Sequence, residues 1–303
     1  MVRDIVVPGS VANLGGGFDT LAVAVELYLR VRIIDVRDDA GARLVVTSST
    51  PAVTGENAVE RAFAALAKQA RVSVPTVLAE IDSDIPMAAG LGSSAAATVA
   101  GFRAFEAVAG PVPQGTLLSA ASALEGHADN AAAALLGGLT SVIDGDARVL
   151  SWPWPDDLRL VVATPSSGLA TSKARAALTP SVSRQDAVFN LQRVLSLVHA
   201  LQHREYERLR EALRDRWHQP ARALLVPHLD AVLAIDDPDV LGACLSGAGP
   251  SVAVLARRDF ERVERLLRAT CEAAGSVVTV RTLAVHRSSN VEQGAMASAH
   301  GRT

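Results

Sequence analysis

The sequence predicts an α+β protein built of two units that meet near residue 155. Two observations carry that reading. Runs with β-branched alternation and runs with apolar residues every three or four positions occur in both halves of the chain. Between the halves, Trp152-Pro153-Trp154-Pro155-Asp156-Asp157 sets two prolines two positions apart, which breaks helix and strand alike. The units are expected over 1–155 and 156–287, with 288–303 a small, polar and disordered tail.

In the first unit, alternation predicts strands at 5–7, 28–36 and 43–47. Residues 56–71 carry Val59, Phe63, Leu66 and Ala70 at helical spacing. A strand is expected at 76–81, then an alanine-rich helix over 93–108 that is apolar on most sides and therefore buried. Helices follow at 116–124 and 129–136, the second ended by Gly137-Gly138, and a strand at 139–143. In the second unit, strands are expected at 158–163, 240–245, 252–255 and 277–283. Amphipathic helices are expected at 183–201, 205–217 and 260–274. No internal repeat is visible.

Composition narrows the function classes. Of 303 residues, 49% are hydrophobic and 20% charged, enough apolar material for a core and too much for a disordered chain. No apolar run reaches the roughly 18 residues of a membrane span. Met1-Val2-Arg3-Asp4 leads straight into strand-like sequence, without the pattern of a secretory signal. A formal net charge of -3 gives no footing for nucleic acid. Cys244 and Cys271 make neither a disulfide framework nor a zinc spacing, so both read as small core residues of a cytoplasmic protein. Positive charge is almost wholly arginine, Lys68 and Lys173 being the only lysines.

Three glycine-rich segments stand out. In Pro8-Gly9-Ser10-Val11-Ala12-Asn13-Leu14-Gly15-Gly16-Gly17-Phe18-Asp19, consecutive glycines between apolar strands let a ligand approach the backbone, with Asn13 and Asp19 flanking. A tight turn with Asn and Asp as turn formers accounts for the same residues. In Ile85-Pro86-Met87-Ala88-Ala89-Gly90-Leu91-Gly92-Ser93-Ser94-Ala95-Ala96, Pro86 halts a strand and two glycines lead into a helix. A helix start exposes unpaired N–H groups and the positive end of the dipole, which suits a phosphate. Ser93 is the expected cap and Ser94 Oγ can reach a phosphate-bound metal. No lysine follows Gly92, so this is not a Walker loop, and a third glycine is missing for a dinucleotide fingerprint. The third segment, Leu245-Ser246-Gly247-Ala248-Gly249-Pro250-Ser251, reads as a close backbone passage or as a plain hairpin.

Between the second and third lies Glu125-Gly126-His127-Ala128-Asp129-Asn130, a carboxylate, an imidazole and an amide crowded at a helix start. They can bind Mg²⁺ and a polar substrate, or serve as caps and surface residues. A hydrolase triad through His127 and Asp129 is not expected. The chain has no GxSxG elbow, and residues two apart rarely orient one another.

In this order PGSVANLGGGFDTL, IPMAAGLGSSAAA and LSGAGPSV resemble the three motifs of the GHMP superfamily of small-molecule kinases, over nearly the whole chain. Four features resemble the homoserine kinases in particular: the Asn-Leu-Gly-x-Gly-Phe-Asp ending of the first motif, Glu125-Gly-His-x-Asp-Asn followed by Leu135-Leu-Gly-Gly, Thr171-Ser-Lys-Ala-Arg175 with Leu178, and Asp215-Arg-Trp-His218-Gln-Pro-Ala-Arg222. The resemblance implies an N-terminal ATP-binding domain like the second domain of ribosomal protein S5 and a ferredoxin-like C-terminal domain, with ATP and substrate between them. It implies that Pro86, Ala89, Gly90, Leu91, Gly92, Ser93 and Ser94 wrap the ATP phosphates, with Asn57 at the adenine. Ser94 and Glu125 would hold Mg²⁺. Asn13, Asp19, His127, Arg175, Arg222 and Gly247 would line the homoserine site, the arginines meeting its carboxylate and Asp19 its ammonium. Asn130 stands where some superfamily members carry a catalytic aspartate, which implies transfer without a carboxylate base. The activity implied is ATP-dependent homoserine O-phosphorylation in threonine biosynthesis, by an enzyme that can form a homodimer.

Some positions depart from the subgroup pattern. Gly9, Val11, Gly16, Ala128 and Ala221 replace its usual alanine, serine, proline, proline and tyrosine. Gly16 and Ala221 bear on acceptor preference, and none of the five is a charged contact. Two other readings share the motifs: a GHMP kinase for another small carboxylate-bearing alcohol, and a non-catalytic ligand sensor. A sensor would be expected to lose phosphate or metal ligands, whereas Gly92, Ser94 and Glu125 are all present.

Overall fold

Strands β1 (Arg3–Ala12) and β2 (Leu21–Arg37) pair antiparallel from Arg3 opposite Ile33 to Ala12 opposite Ala22. The register shifts between Pro8 and Gly9, so the first glycine motif begins inside a strand rather than in a turn. A bulge is where a strand tolerates Pro and Gly. In β2 residues 21–25 are buried on both faces, and burial alternates beyond them as one face turns to solvent. The chain is a computed structural model that describes residues 3–287 apart from 38, 40, 42, 54 and 144–147. The expected tail at 288–303 and the Met1-Val2 start lie outside the described residues.

β3 (Leu44–Thr50), α1 (Ala58–Ala70), β4 (Thr76–Ser83), α2 (Ser93–Ala109), α3 (Gln114–Glu125), α4 (Asp129–Leu136), β5 (Leu139–Ile143) and β6 (Arg148–Trp152) complete the first half. The sheet runs β3-β4-β2-β5-β6, with β1 also on β2; β3 and β4 are parallel and the remaining pairs antiparallel. Helices α2 and α4 pack on β1 and β2, and α1 packs on α2. Gly101 permits that last contact, since a Cβ there would crowd the Val59 carbonyl and the Ala62 side chain.

The second half holds β7 (Arg159–Pro165), α5 (Thr171–Ala176), α6 (Arg184–His203), a 3₁₀ turn over Tyr206–Arg208, α7 (Leu209–Ala212), α8 (His218–Ala223) and α9 (Leu229–Leu233). β8 (Gly242–Leu245), β9 (Val252–Ala256), α10 (Phe260–Ala273) and β10 (Val278–Leu283) follow, and the strands form an antiparallel sheet in the order β10-β7-β9-β8. After β10 the chain returns to the first sheet. Glu26 N donates to the Ala284 carbonyl (2.9 Å), His286 N to Ala24 (3.0 Å) and Gly138 N to His286 (2.8 Å). The main core is accordingly continuous between the halves, holding Val11, Phe63, Phe102 and Leu139 with Leu160, Leu197, Leu255 and Leu283.

One sequence expectation fails. The amphipathic run 205–217 is not a single helix: it is helical only to Ala212. The backbone of Leu213 lies against Gly15, where any Cβ would overlap the Leu213 carbonyl. Asp215 then secures the start of the next helix from outside it, its carboxylate accepting from Trp217 N (3.1 Å) and Gln219 N (2.6 Å). Asn190 Nδ2 holds that carboxylate from α6 (2.6 Å). The strand β6 and the short helices α5, α8 and α9 were not expected, being too short for periodicity to register.

Candidate active site

The N-terminus of α2 opens into a cleft of about 420 Å³ lined from both halves of the chain, including Asn13, Asp19, Ser94, Glu125, Arg175 and Arg222. Gly92 sits in the left-handed region (φ 70°) and occupies the N-cap position itself, and no side chain caps the helix. The expectation that Ser93 is the cap is therefore corrected: Ser93 is the first helical residue. A side chain cannot take that cap position, since a Cβ at Gly92 would overlap Ser10 Oγ and lie 3.2 Å from Asn130 Oδ1. The first amides of α2 are left without intrahelical partners and face an anion-sized opening.

The three glycine segments hold one another. Ser246 Oγ donates to the Gly90 carbonyl (2.7 Å), and Asn13 Nδ2 to the Gly247 carbonyl (2.9 Å). Ser10 Oγ donates to Asn130 Oδ1 (2.8 Å). The hairpin between β8 and β9 is thus the close passage that its small residues suggested: it lies against the 85–94 loop. Within that loop Ala89 and Leu91 are buried, and their carbonyls accept from Ser251 N (3.2 Å) and Ser10 N (3.1 Å). Of the loop residues expected at the phosphates, Gly90, Gly92, Ser93 and Ser94 line the cleft together with Ala88. Pro86, Ala89 and Leu91 do not line it. Asn57 caps α1, its Oδ1 accepting from Val59 N (2.9 Å). It lines a separate, mainly apolar hollow of about 220 Å³ with Pro51, Ile81 and Met87, to which Ser93 and Ser94 also contribute.

Glu125 ends α3 with its carboxylate directed at α2. Its Oε1 accepts from Ser94 Oγ (3.0 Å) and Thr98 Oγ1 (2.8 Å), with Arg61 Nη2 at 3.7 Å. Sequence reasoning missed Thr98 and Arg61. A signal existed for each: Thr98 lies four residues after Ser94 and Arg61 four after Asn57, so each shares a helix face with a residue already singled out.

At the other end of the cleft Asp19 and Arg175 form a two-pronged pair, Nη1 to Oδ2 at 3.0 Å and Nη2 to Oδ1 at 2.9 Å. Residues expected to meet opposite ends of a substrate here hold each other. Asn13 is spent on the loop, with Oδ1 accepting from Asp19 N (3.1 Å). Phe18, which sequence reasoning passed over, lies between the arginines, 5.7 Å from Arg175 Cζ and 5.3 Å from Arg222 Cζ. Such distances suit a cation over a ring face. Arg222 is only 2% exposed and donates to the Gly247 carbonyl (2.9 Å) and to His218 Nδ1 (3.3 Å). Burial, reinforced by the Arg175 charge, pushes its pKa down to about 10. His218, fully buried, donates its Nε2–H to the Gly15 carbonyl (2.8 Å), and burial holds it toward the neutral form.

The dismissal of a His127–Asp129 pairing is overturned: His127 Nδ1 lies 2.7 Å from Asp129 Oδ1. Ala128, the N-cap residue of α4, separates the two without turning them apart. Asp129 is 2% exposed, and the same oxygen accepts from Asn130 N (2.7 Å) and Asn130 Nδ2 (3.2 Å). The hydrogen bond to Asp129 raises the His127 pKa above its ordinary 6.5, against the opposing effect of burial. A raised value means that the contribution to stability is complete while the imidazole is protonated and is lost as pH rises through the folded pKa. The His127 ring should therefore titrate above 6.5 by NMR, and Asp129→Asn should move it downward; an unmoved titration would dissolve the pair.

Asp19, His127 and Asp129 also lie close enough together to be considered as metal ligands. Their chemistry argues otherwise. A metal takes neutral imidazole, whereas this one is biased toward protonation, and the Asp19 carboxylate is already neutralised by the two-pronged Arg175 pair. Ser94 and Glu125 offer the better site: a hydroxyl and a carboxylate 3.0 Å apart, hard oxygens suited to a small divalent cation that keeps several waters.

Comparison with known proteins adds the family. The models for the GHMP kinases N terminal domain and the GHMP kinases C terminal match residues 57–138 and 197–274. The homoserine kinase of Solibacter usitatus is 38% identical over 271 residues, covering 86% of this chain and 87% of that one. That of Desulfitobacterium hafniense is 37% identical over 293 residues, covering 94% and 97%. Among solved structures, the homoserine kinase from Cytophaga hutchinsonii superposes with a TM-score of 0.82 at 26% identity, over 94% of this chain and 95% of that one. A mevalonate kinase shares the fold at 14% identity, with a TM-score of 0.68 and 94% and 100% coverage. The two-domain α+β architecture implied by the motifs holds, and with relatives this similar over most of both lengths, the chain belongs to the homoserine kinase family of GHMP kinases.

Proposed function

We propose that this protein transfers the γ-phosphoryl group of ATP to the side-chain hydroxyl of L-homoserine, giving O-phospho-L-homoserine and ADP. One observation carries the reading. A single cleft joins an uncapped helix start and the Ser94–Glu125 pair at one end to an Asp19–Arg175 ion pair at the other. The first end suits a nucleotide's phosphates. The second suits a zwitterion, because a bound α-amino acid can exchange with both partners at once: its ammonium replaces Arg175 on Asp19, and its carboxylate replaces Asp19 on Arg175. Neither half-buried charge is then left unpaired. A mevalonate-type acid would satisfy Arg175 and strand Asp19, and a sugar would satisfy neither.

The remaining roles follow. Gly90, Gly92, Ser93 and Ser94 bind the phosphates through the loop and the helix start, and Asn57 lies at the base in the apolar hollow. Ser94 and Glu125 would hold Mg²⁺, which when bound supplies neutralisation of the β- and γ-phosphate charge. His127, kept toward imidazolium by Asp129, offers an N–H donor to the acceptor substrate. Asn13 and Gly247 shape the acceptor wall, with Arg222 behind them. The homoserine oxygen attacks the γ-phosphorus and the bond to the bridging oxygen breaks. The hydroxyl proton leaves through a phosphoryl oxygen or solvent. Asn130 cannot accept it at neutral pH, and the Asp129 oxygen that faces Asn130 is already occupied by three donors. Catalysis is then positioning and charge neutralisation, which is what phosphoryl transfer requires. We place the reaction in the cytoplasm, consistent with two buried free cysteines; among the described residues no helix is long and apolar enough to cross a membrane.

ADP release measured across homoserine, mevalonate and galactose tests the reading. Homoserine should be turned over well ahead of the others, and turnover of galactose with none of homoserine would sink it. Within the same assay Arg175→Ala should raise the KM for homoserine about 10- to 100-fold, corresponding to about 1.5–3 kcal/mol of charge-assisted hydrogen bonding, with a smaller change in kcat. An unchanged KM would remove Arg175 from the carboxylate site.

A further inference from the structure

The phosphate loop poses a charge problem. Residues 85–97 contain no lysine or arginine, so the loop itself brings only amide dipoles to a chain of phosphates. Among the described residues the arginines lining the cleft are Arg61, Arg175 and Arg222, and His127 lines it paired with Asp129. Arg175 is engaged with Asp19, and Arg222 is buried against the Gly247 carbonyl. Arg61 is engaged only through two long carboxylate contacts. Its Nη1 reaches Glu56 at 3.4 Å, a partner whose side chain is 70% exposed, and its Nη2 reaches Glu125 only at 3.7 Å. Its Nε is buried and has no hydrogen-bond partner. An arginine with five donors does not stay this poorly matched in a half-buried position without cost.

Its place on α1 gives the mismatch a direction. Asn57 and Arg61 are one helical turn apart on one face, with Arg61 N bonded to the Asn57 carbonyl (3.0 Å). Asn57 lines the apolar hollow, Arg61 lines the polar cleft, and Ser93 and Ser94 line both. The hollow and the cleft therefore adjoin at the start of α2, and α1 runs beside that junction. A nucleotide with its base in the hollow and its phosphates at α2 passes from Asn57 to Arg61 over about 6 Å of helix rise.

We propose that Arg61 is a ligand of the nucleotide's phosphate chain, exchanging its long contact with Glu125 for phosphate oxygens and supplying from α1 the charge that the loop lacks. This rests on the nucleotide reading above and deepens it. The arrangement differs from a loop lysine in mechanism as well as place. The cation comes from a neighbouring helix, and in the free protein it rests beside the carboxylate assigned to the metal. Arrival of nucleotide thus frees Glu125 as it engages Arg61.

Equilibrium calorimetry with ATP, ADP and adenosine, each with and without Mg²⁺, tests the proposal. Arg61→Gln should weaken ATP about 10- to 100-fold, as expected for loss of a charge-assisted contact, and leave adenosine unchanged. Arg61→Lys should recover part of the loss, because it restores the charge without the fork. ATP affinity unchanged in Arg61→Gln would overturn the proposal. So would an equal weakening of ATP and adenosine, which would mark a structural role for α1. If the unsubstituted protein bound none of the three nucleotides, the nucleotide reading itself would fall.

Discussion

Glu125→Ala should lower kcat by about 10²- to 10³-fold and abolish the dependence of rate on Mg²⁺, the scale on which removal of one preorganised electrostatic contact slows an enzyme. The side chain is 9% exposed and is the shared acceptor for Ser94, Thr98 and, more distantly, Arg61. Its loss leaves the fully buried Thr98 hydroxyl without that acceptor, so a stability cost of about 1–3 kcal/mol should accompany the catalytic one. Glu125→Gln separates the two. It keeps an acceptor for both hydroxyls and should melt close to the parent protein, yet it carries no charge for a cation. A Mg²⁺ titration of the steady-state rate beside a thermal melt reads both effects. Full activity of Glu125→Gln at ordinary Mg²⁺ would exclude this carboxylate from the metal site.

Gly90→Ala should destabilise the fold by about 3–5 kcal/mol, at the upper end for single substitutions, and remove nucleotide binding with it. Two penalties add. Gly90 has φ +77°, where an L side chain is strained by about 1–2 kcal/mol. A Cβ there would also overlap the Ser246 carbonyl and lie 2.8 Å from the Gly249 carbonyl, backbone atoms that cannot step aside. Gly110→Ala isolates the first penalty, because Gly110 has φ +93° and nothing within 4 Å of the added carbon. Denaturant melts of the two variants should therefore differ by about 2–3 kcal/mol. Equal losses would mean that the packing of the phosphate loop on the 245–251 hairpin contributes nothing.

Much of this was legible in the sequence because it was local. The bounds of α4 and β5, the start of α2 and the strand positions of the second sheet follow from apolar periodicity and glycine punctuation. These are properties of neighbouring residues. The parts that were not legible depend on contacts between distant segments. The helix expected over 205–217 breaks because Leu213 meets Gly15, some two hundred residues earlier. Asp19 and Arg175 were each recognisable as charged site residues, but no spacing says that they bind one another in the free protein. The cap position falls on Gly92 rather than Ser93, at a point where Ser10 and Asn130 leave no room for a side chain. His127 and Asp129 are the exception, a short-range pair that a rule about residues two apart rejected. That rule presumes regular backbone, and Ala128 stands outside the helix.

The mutual bracing of the glycine segments bears on how fast a nucleotide can bind. The 85–94 loop is held by backbone bonds to β1, to the residues after β7 and to the β8–β9 hairpin: Ser10 N to Leu91, Leu169 N to Ala88 and Ser251 N to Ala89. Ser246 Oγ adds a fourth tether at Gly90. Conformational entropy that a floppy loop would surrender on meeting its ligand has here been surrendered already, during folding. Association with ATP then needs no ordering step at the phosphates, and its rate should be set by diffusion into the cleft rather than by loop closure.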